Sequence, residues 1–142
     1  MSDVRSGPYR RIAVIGAGAW GTALAAMARR AGREVRLWGR NAEDVAALDA
    51  TARNERYLPG IDLPLGIEAT ADLAHALDGA DCVLMVTPSR SLREMARRMA
   101  PHMPIDIPVV LCAKGIEQGT GKLLSEVVEE ELPDHRIGAL SG

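Results

Sequence analysis

The feature that most constrains the fold is an apolar run that leads directly into a glycine-rich hexapeptide and then into an alanine-rich segment with helical periodicity. Residues 12–15 read Ile-Ala-Val-Ile, and Gly16-Ala17-Gly18-Ala19-Trp20-Gly21 follows without a gap. A G-x-G-x-x-G sequence alone is weak evidence. Between a strand and a helix, however, it is typical of the turn that holds the pyrophosphate of a dinucleotide. We therefore predict that the chain starts with a dinucleotide-binding βαβ unit.

Each glycine of this motif has a separate expected role in binding the cofactor. Gly16 permits the tight turn, Gly18 lets the backbone approach a pyrophosphate, and Gly21 lets the helix pack close to the strand. Unpaired amide groups and the positive dipole end at the helix start attract phosphate, and the dipole alone contributes about 0.3–1 kcal/mol. The alternative is a glycine turn without a ligand. Trp20 is expected to form a wall of the cofactor site, although it could instead cover the core.

Short β-branched runs alternate with longer stretches of helical periodicity along the whole chain. Strands are predicted at residues 11–15, 34–38, 67–70, 82–87, 109–113 and 137–140, and helices at residues 20–31, 42–53, 71–77, 91–99 and 122–131. This alternation predicts an α/β fold, a Rossmann-type doubly wound, mainly parallel sheet with helices on both faces. Residues 54–65 contain Pro59, Gly60 and Pro64, which predict a long surface loop that leans over the cofactor.

Three polar residues are predicted to cap helices by accepting hydrogen bonds from backbone amides of the first turn. Asn41 precedes the second helix, Thr70 the third and Ser89 the fourth. Two charged groups, the glutamates 129–131 and the arginines 93, 97 and 98, are expected to solvate two separate helix faces.

Composition limits the partners that the chain can take. It has 142 residues, of which 47% are hydrophobic, and a net charge of -2, so we expect one domain and no nucleic-acid partner. The longest apolar runs are far shorter than the roughly 20 residues that cross a bilayer. The polar start lacks a signal peptide, so we expect no membrane span and a cytoplasmic location. Cys82 and Cys112 are expected to be buried thiols, and no metal site is expected.

The end of the second strand bears on the choice of cofactor. NAD-selective domains usually place an acidic residue there to hold the adenosine ribose, whereas this chain has Gly39-Arg40-Asn41. The guanidinium of Arg40 suits a 2′-phosphate, and such a bond would favour NADP over NAD by about 10- to 150-fold. The alternative is a solvated surface arginine. Glu43 and Asp44 could pair with Arg40 or hold ribose hydroxyls, and either contact would weaken the preference.

A lysine follows the fifth predicted strand. Lys114 stands beside Gly115 where the carboxyl end of that strand would face the cleft, so we expect it near a phosphate or the nicotinamide. The alternative is an ordinary surface charge.

With these motifs the chain closely resembles the bacterial NAD(P)-dependent glycerol-3-phosphate dehydrogenases. The resemblance runs nearly end to end, through residues 16–25, 37–41, 54–60, 86–89, 113–116 and 140–142. It implies that Ala19, Trp20, Arg40 and Lys114 contact the cofactor, and that Lys114 and Gly142 contact the glycerol phosphate. Ala19 stands where the family commonly has serine, so one hydrogen bond to phosphate is expected to be lost.

The resemblance also implies a reaction. It is the reversible transfer of hydride between NAD(P)H and dihydroxyacetone phosphate, which gives sn-glycerol 3-phosphate for phospholipid synthesis. In the family the proton donor is a lysine of a later helical domain. Residues 1–142 are therefore expected to be the dinucleotide-binding domain, without that catalytic domain and without measurable turnover.

Two rival functions remain open. One is a related dehydrogenase acting on a 6-phosphogluconate-, ketopantoate- or hydroxyacyl-type substrate, and the other is a nucleotide-sensing regulatory domain. Exposed apolar surface around the cleft would make a homodimer plausible.

Overall fold

The computed structural model of the chain describes residues 9–140. Its centre is one sheet of six parallel strands in the order β3-β2-β1-β4-β5-β6. The strands are β1 (Arg11–Ile15), β2 (Glu34–Trp38), β3 (Ile67–Thr70), β4 (Cys82–Met85), β5 (Val109–Leu111) and β6 (Ile137–Ala139). The chain thus starts in the middle of the sheet, builds outward on one side and crosses back between β3 and β4. This is the doubly wound arrangement, and the predicted fold class is confirmed.

Five helices connect the strands and cover both faces of the sheet. They are α1 (Ala19–Arg30), α2 (Ala42–Thr51), α3 (Leu73–Leu77), α4 (Leu92–Met99) and α5 (Leu124–Glu131). The first three strands have their predicted bounds, whereas β4, β5 and β6 end earlier than predicted. Beyond Met85 and Leu111 the chain turns into loops over the sheet edge, although one more ladder bond follows each of these two strands: Val86 N–H donates to the carbonyl of Ile15 and Cys112 N–H to that of Met85.

The core consists of two apolar clusters, one on each face of the sheet. Strand β1 contributes to both, because alternate side chains of a strand point to opposite faces. Ala13 and Ile15 join a cluster with α3, α4 and α5, while Ile12 and Val14 join a second cluster with α1 and α2. Since β1 is buried on both faces, the strand that leads into the glycine turn is held by packing from two directions.

Helix capping agrees with the sequence at one position and differs at two. The amide of Asp44 donates to Asn41 Oδ1 at 3.0 Å, as predicted. Thr70 was wrongly predicted as the cap of α3, because that helix begins two residues later and Asp72 accepts the capping bond from His75 N–H at 3.2 Å. The Thr70 hydroxyl instead accepts a bond from the amide of Asp72 at 3.0 Å.

The prediction that Ser89 caps α4 is also wrong. Ser89 begins a short 3-10 turn that ends at Ser91, and α4 starts only at Leu92, without a side-chain cap. Pro88 lies before this turn and fixes the chain direction where it leaves β4.

The two charged groups predicted on separate solvated faces in fact meet each other. Arg93 of α4 pairs with Glu130 and Glu131 of α5, each at 2.9 Å, and with Glu117 of the β5–α5 loop at 2.8 Å. Arg97 adds a contact to Glu131 at 3.1 Å. These pairs join α4, α5 and the loop that carries Lys114.

The two cysteines differ in burial. Cys82 is buried as predicted, and burial raises the pKa of its thiol, whereas Cys112 is only partly buried. Across residues 9–140, no helix has the length and apolar character needed to cross a membrane.

Candidate functional site

A cleft of about 620 Å³ opens at the carboxyl ends of β1, β2 and β4. In open α/β sheets ligands bind at this edge, where the strand order reverses. The walls come from the β1–α1 turn, the β2–α2 junction, the loop after α2 and the β4–α4 loop, with these lining residues: Gly16, Ala17, Gly18, Trp38, Gly39, Arg40, Asn41, Asp44, Val45, Leu48, Asn54, Arg56, Tyr57, Val86, Thr87, Pro88, Arg90 and Ser91. Its volume lies within the range of small-molecule sites.

Two glycines of the motif are required by the protein itself. Gly16 has φ +126°, and a Cβ there would lie 2.7 Å from the carbonyl oxygen of Val86. A Cβ on Gly21 would lie only 1.8 Å from the carbonyl oxygen of Gly16. The roles predicted for these glycines in the turn and in helix packing are therefore confirmed.

Gly18 differs from the other two. Its backbone, at φ -72° and ψ -171°, is open to any residue, and no atom of residues 9–140 lies within 4 Å of the position that a Cβ would take. Gly18 is also the N-cap of α1, so within the described part of the chain no side chain caps the amides of the first turn, and that turn contains no acidic residue. The result is a helix start with unpaired donors beside open space, which is suited to an anion.

The loop after α2 is fastened to the glycine turn by a buried amide. Asn54 Nδ2 donates to the carbonyl of Ala17 at 2.9 Å and to the hydroxyl of Thr22 at 2.8 Å. Its Oδ1 accepts a bond from the amide of Tyr57 at 3.3 Å. These bonds satisfy a polar side chain that is only 6% exposed, and they hold the loop against the cleft. The prediction of a long surface loop is confirmed, and its position beside the cleft is compatible with a cofactor beneath it.

At the end of β2 close packing explains why the residue at position 39 is glycine. A Cβ on Gly39 would lie 2.6 Å from Val45 Cγ1 and 2.9 Å from Ala17 Cβ, so glycine is needed for close packing. Arg40 follows it, exposed and lining the cleft. Asp44 contacts Arg56 at 3.1 Å rather than Arg40, and among residues 9–140 no ion pair of Arg40 is present.

The predicted site residues are only partly brought together. Gly16, Gly18 and Arg40 line the cleft. Trp20 is 51% exposed and, like Ala19, lies in the first turn of α1 outside the cleft lining. It does not cover the core, and its role toward a cofactor stays a prediction.

Lys114 lies at the same edge of the sheet but not in the cleft lining. It is exposed and precedes Gly115, which has φ +117°. The loop is kept in place by an isolated bridge between Ile116 and Leu123, and by the bidentate pair of Arg93 with Glu117 at 2.8 and 2.9 Å. That pair lowers the pKa of Glu117 to about 2, because the guanidinium bonds to the carboxylate. Gly142, the other predicted substrate contact, lies outside the described residues.

Sequence reasoning missed part of the cleft. Asn54, Arg56, Tyr57 and Arg90 all line it. Asn54 and Tyr57 belong to the segment that is predicted as a loop leaning over the cofactor and that also carries the family resemblance, but neither residue was assigned to the site. A polar residue followed by an aromatic one in a loop rich in proline and glycine was the available signal, but the pattern does not say which strand end the loop reaches.

Comparison with known proteins places these features in a family. Residues 11–142 match the family described as NAD-dependent glycerol-3-phosphate dehydrogenase N-terminus. The chain is 57% identical over 132 residues to glycerol-3-phosphate dehydrogenase [NAD(P)+] of Mesorhizobium japonicum, and 54% identical to that of Brucella canis. Each match covers 93% of this chain, which spans only 38% and 40% of those relatives.

Solved structures of glycerol-3-phosphate dehydrogenases are also similar to this chain. Glycerol-3-phosphate dehydrogenase from Coxiella burnetii matches with a TM-score of 0.88 and 37% identity, covering 96% of this chain and 42% of that one. The enzyme from Saccharomyces cerevisiae matches with a TM-score of 0.83 and 28% identity over the same shares of the two chains. A ketopantoate reductase from Ralstonia eutropha, one of the rival classes, gives a TM-score of 0.66 at 26% identity, over 91% of this chain and 40% of that one.

Proposed function

Because the chain belongs to the family of N-terminal domains of NAD-dependent glycerol-3-phosphate dehydrogenases, we propose that it is the dinucleotide-binding part of such an enzyme. The reaction proposed for the whole enzyme is hydride transfer between NAD(P)H and dihydroxyacetone phosphate, giving sn-glycerol 3-phosphate for phospholipid synthesis. The closer match to glycerol-3-phosphate dehydrogenases than to a ketopantoate reductase favours this substrate over the rival dehydrogenase classes.

The observation that carries the proposal is Gly18. Neither its backbone conformation nor its surroundings require glycine, whereas both neighbouring glycines of the motif are required by the fold. A pyrophosphate resting on the start of α1 would supply the missing reason, because a side chain at position 18 would occupy the path of its approach. The unpaired amides of the first turn, Ala19 and Trp20 among them, would donate to the phosphate oxygens.

The rest of the cofactor would extend from this point in both directions. The adenosine ribose would lie toward Arg40, whose exposed guanidinium favours NADP while leaving NAD acceptable. The nicotinamide would lie toward the β4–α4 and β5–α5 loops. Lys114 and Gly142 would then hold the phosphate of the substrate.

Reduction of the carbonyl develops negative charge on its oxygen as hydride arrives at the carbon, so an acid must supply a proton. We propose that this donor is a lysine in the part of such enzymes that the present chain does not span, with Lys114 binding phosphate rather than donating the proton. A cytoplasmic location and a homodimer are the further expectations for the enzyme.

Titration of the 142-residue chain with NADPH and with NADH, followed by quenching of the half-exposed Trp20, tests the proposal. Micromolar binding of NADPH that is tighter than that of NADH is expected, and Arg40→Asp should reverse the order. If the folded chain binds neither nucleotide, the proposal fails. If both bind and Arg40→Asp changes nothing, the assignment of Arg40 fails but the cofactor-binding function stands.

A further inference from the structure

Besides Arg40, the lining of the cleft contains an ion pair that the glycine motif does not predict. Asp44, in the first turn of α2, meets Arg56, in the loop after α2, with 3.1 Å between Oδ2 and Nη1. Asp44, Arg56 and Arg40 all line the cleft. The lining of the cleft therefore includes, after β2, two arginines and one aspartate.

The backbone that carries Arg56 has a fixed place relative to the glycine turn. Asn54, two residues earlier, is bonded to Ala17 and Thr22, and its side chain also holds the amide of Tyr57, one residue later. The Arg56 guanidinium lies 5.6 Å from the centre of the Tyr57 ring. Arg56 is thus presented to the cleft by an anchored segment.

The Asp44–Arg56 pair itself is easily exchanged. The side chains are 36% and 59% exposed, and exposed ion pairs contribute little to stability because water competes with each partner. A phosphate monoester carries more negative charge than a carboxylate, and two of its oxygens can accept hydrogen bonds from one guanidinium. The Asp44 carboxylate, in turn, can accept hydrogen bonds donated by ribose hydroxyls, which a guanidinium cannot do.

We propose that Arg56 is a second 2′-phosphate-binding residue beside Arg40, and that Asp44 determines how well the site also accepts a dinucleotide without that phosphate. With NAD, Asp44 keeps Arg56 and accepts a hydrogen bond from the adenosine ribose. With NADP, Arg56 leaves Asp44 and binds the 2′-phosphate. The inference rests on the proposed function, since it assigns the adenosine end of the same cofactor site.

Adenosine 2′,5′-bisphosphate and adenosine 5′-monophosphate differ only in the 2′-phosphate, so their dissociation constants isolate this contact. We would measure both by calorimetry on the wild-type chain and on Arg56→Gln, Asp44→Asn and Arg30→Gln. Arg30 is an exposed arginine at the far end of α1 and serves as the matched control.

Arg56→Gln should weaken binding of the bisphosphate by about 5- to 20-fold and change the dissociation constant of the monophosphate by less than about twofold. Asp44→Asn should strengthen binding of the bisphosphate and weaken binding of the monophosphate, each by about two- to fivefold. Arg30→Gln should change neither ratio.

Equal effects of Arg56→Gln on the two nucleotides, or no effect on either, would overturn the inference. If wild type binds NADPH and NADH while these variants leave the ratio unchanged, only the inference fails. If wild type binds neither dinucleotide, the proposed function fails and takes the inference with it.

Discussion

The side-chain amide of Asn54 donates a hydrogen bond to the hydroxyl of Thr22 at 2.8 Å, and both side chains are buried. This bond joins the loop after α2 to the first turns of α1. It is the shortest of the contacts that fix the loop to the glycine turn.

Replacement of Asn54 by leucine should therefore destabilise the chain. The variant would leave the Ala17 carbonyl and the Thr22 hydroxyl without their amide donor, at a cost of about 2–3 kcal/mol. Urea unfolding followed by circular dichroism measures the loss. Gln118→Leu, which removes an exposed loop amide, is the control and should change the free energy of unfolding by less than about 0.5 kcal/mol. An Asn54→Leu variant as stable as wild type would contradict the buried network.

The glycine motif offers a pair of matched substitutions. Gly18→Ala should change the free energy of unfolding by less than about 1 kcal/mol, because its conformation and surroundings admit a methyl group. It should nevertheless weaken NADPH binding by at least about tenfold. Gly21→Ala should instead cost about 3 kcal/mol or more in stability, since its Cβ would overlap the Gly16 carbonyl. Thermal unfolding and nucleotide titration of both variants separate a residue needed for the ligand from one needed for the fold. Tight NADPH binding by Gly18→Ala would remove the main support for the proposed function.

The end of α2 should be open to stabilisation. Ala52, its C-cap, has φ +55° and ψ +37°, a left-handed conformation that costs a residue with a Cβ more than it costs glycine. Ala52→Gly should raise the free energy of unfolding by about 1 kcal/mol. Ala46→Gly, at an exposed position inside the same helix, should lower it by a similar amount, about 1 kcal/mol. A lower melting temperature for both variants would show that Ala52 is not strained.

The Arg93 cluster should give stability that depends on pH. The Arg93 guanidinium lowers the pKa of Glu117 from 4.5 to about 2 and also lowers the pKa of Glu131, while Lys122 and then Arg93 lower the pKa of Glu130. A carboxyl with a depressed pKa in the folded state stabilises the fold above its unfolded pKa, and this contribution is lost as pH falls toward 2. The difference in melting temperature between wild type and Arg93→Gln should therefore be largest above pH 5 and shrink toward pH 2.

Arg98→Gln provides the control for this pH series. Arg98 lies on the same helix but over the Trp38 ring, 5.5 Å from its centre, where a cation meets an aromatic ring rather than a carboxylate. The difference in melting temperature between Arg98→Gln and wild type should stay constant over the same pH range. A constant difference for Arg93→Gln as well would mean that the cluster is fully screened by solvent.

The parts of this molecule that sequence predicts well are those whose cause is local. Strand β1 and the glycine turn are recognisable because the apolar run, the positive φ of Gly16 and the close approach of Gly21 to the Gly16 carbonyl all lie within residues 11–21. The cap of α3 was misplaced because Thr70 and Asp72 are both suitable acceptors, and only the start of the helix decides between them.

The missed features depend on contacts between distant residues. Asn54 and Arg56 reach the cleft because the loop predicted to lean over the cofactor folds back on the glycine turn, and its composition does not say which of its residues make that contact. The glutamates of α5 and the arginines of α4 look like solvated faces until the helices are packed together, at which point Arg93 becomes the centre of a cluster.

The position of Val86 against Gly16 has a consequence for how the site is assembled during synthesis. The glycine motif is complete in sequence by residue 21, yet the carbonyl that lies against its first glycine belongs to Val86, which directly follows β4 far later in the chain. Until residues 82–86 have left the ribosome, β1 has only β2 to pair with. A nascent chain should acquire nucleotide-binding competence abruptly at that length rather than gradually, although its recognition motif is among the first segments made.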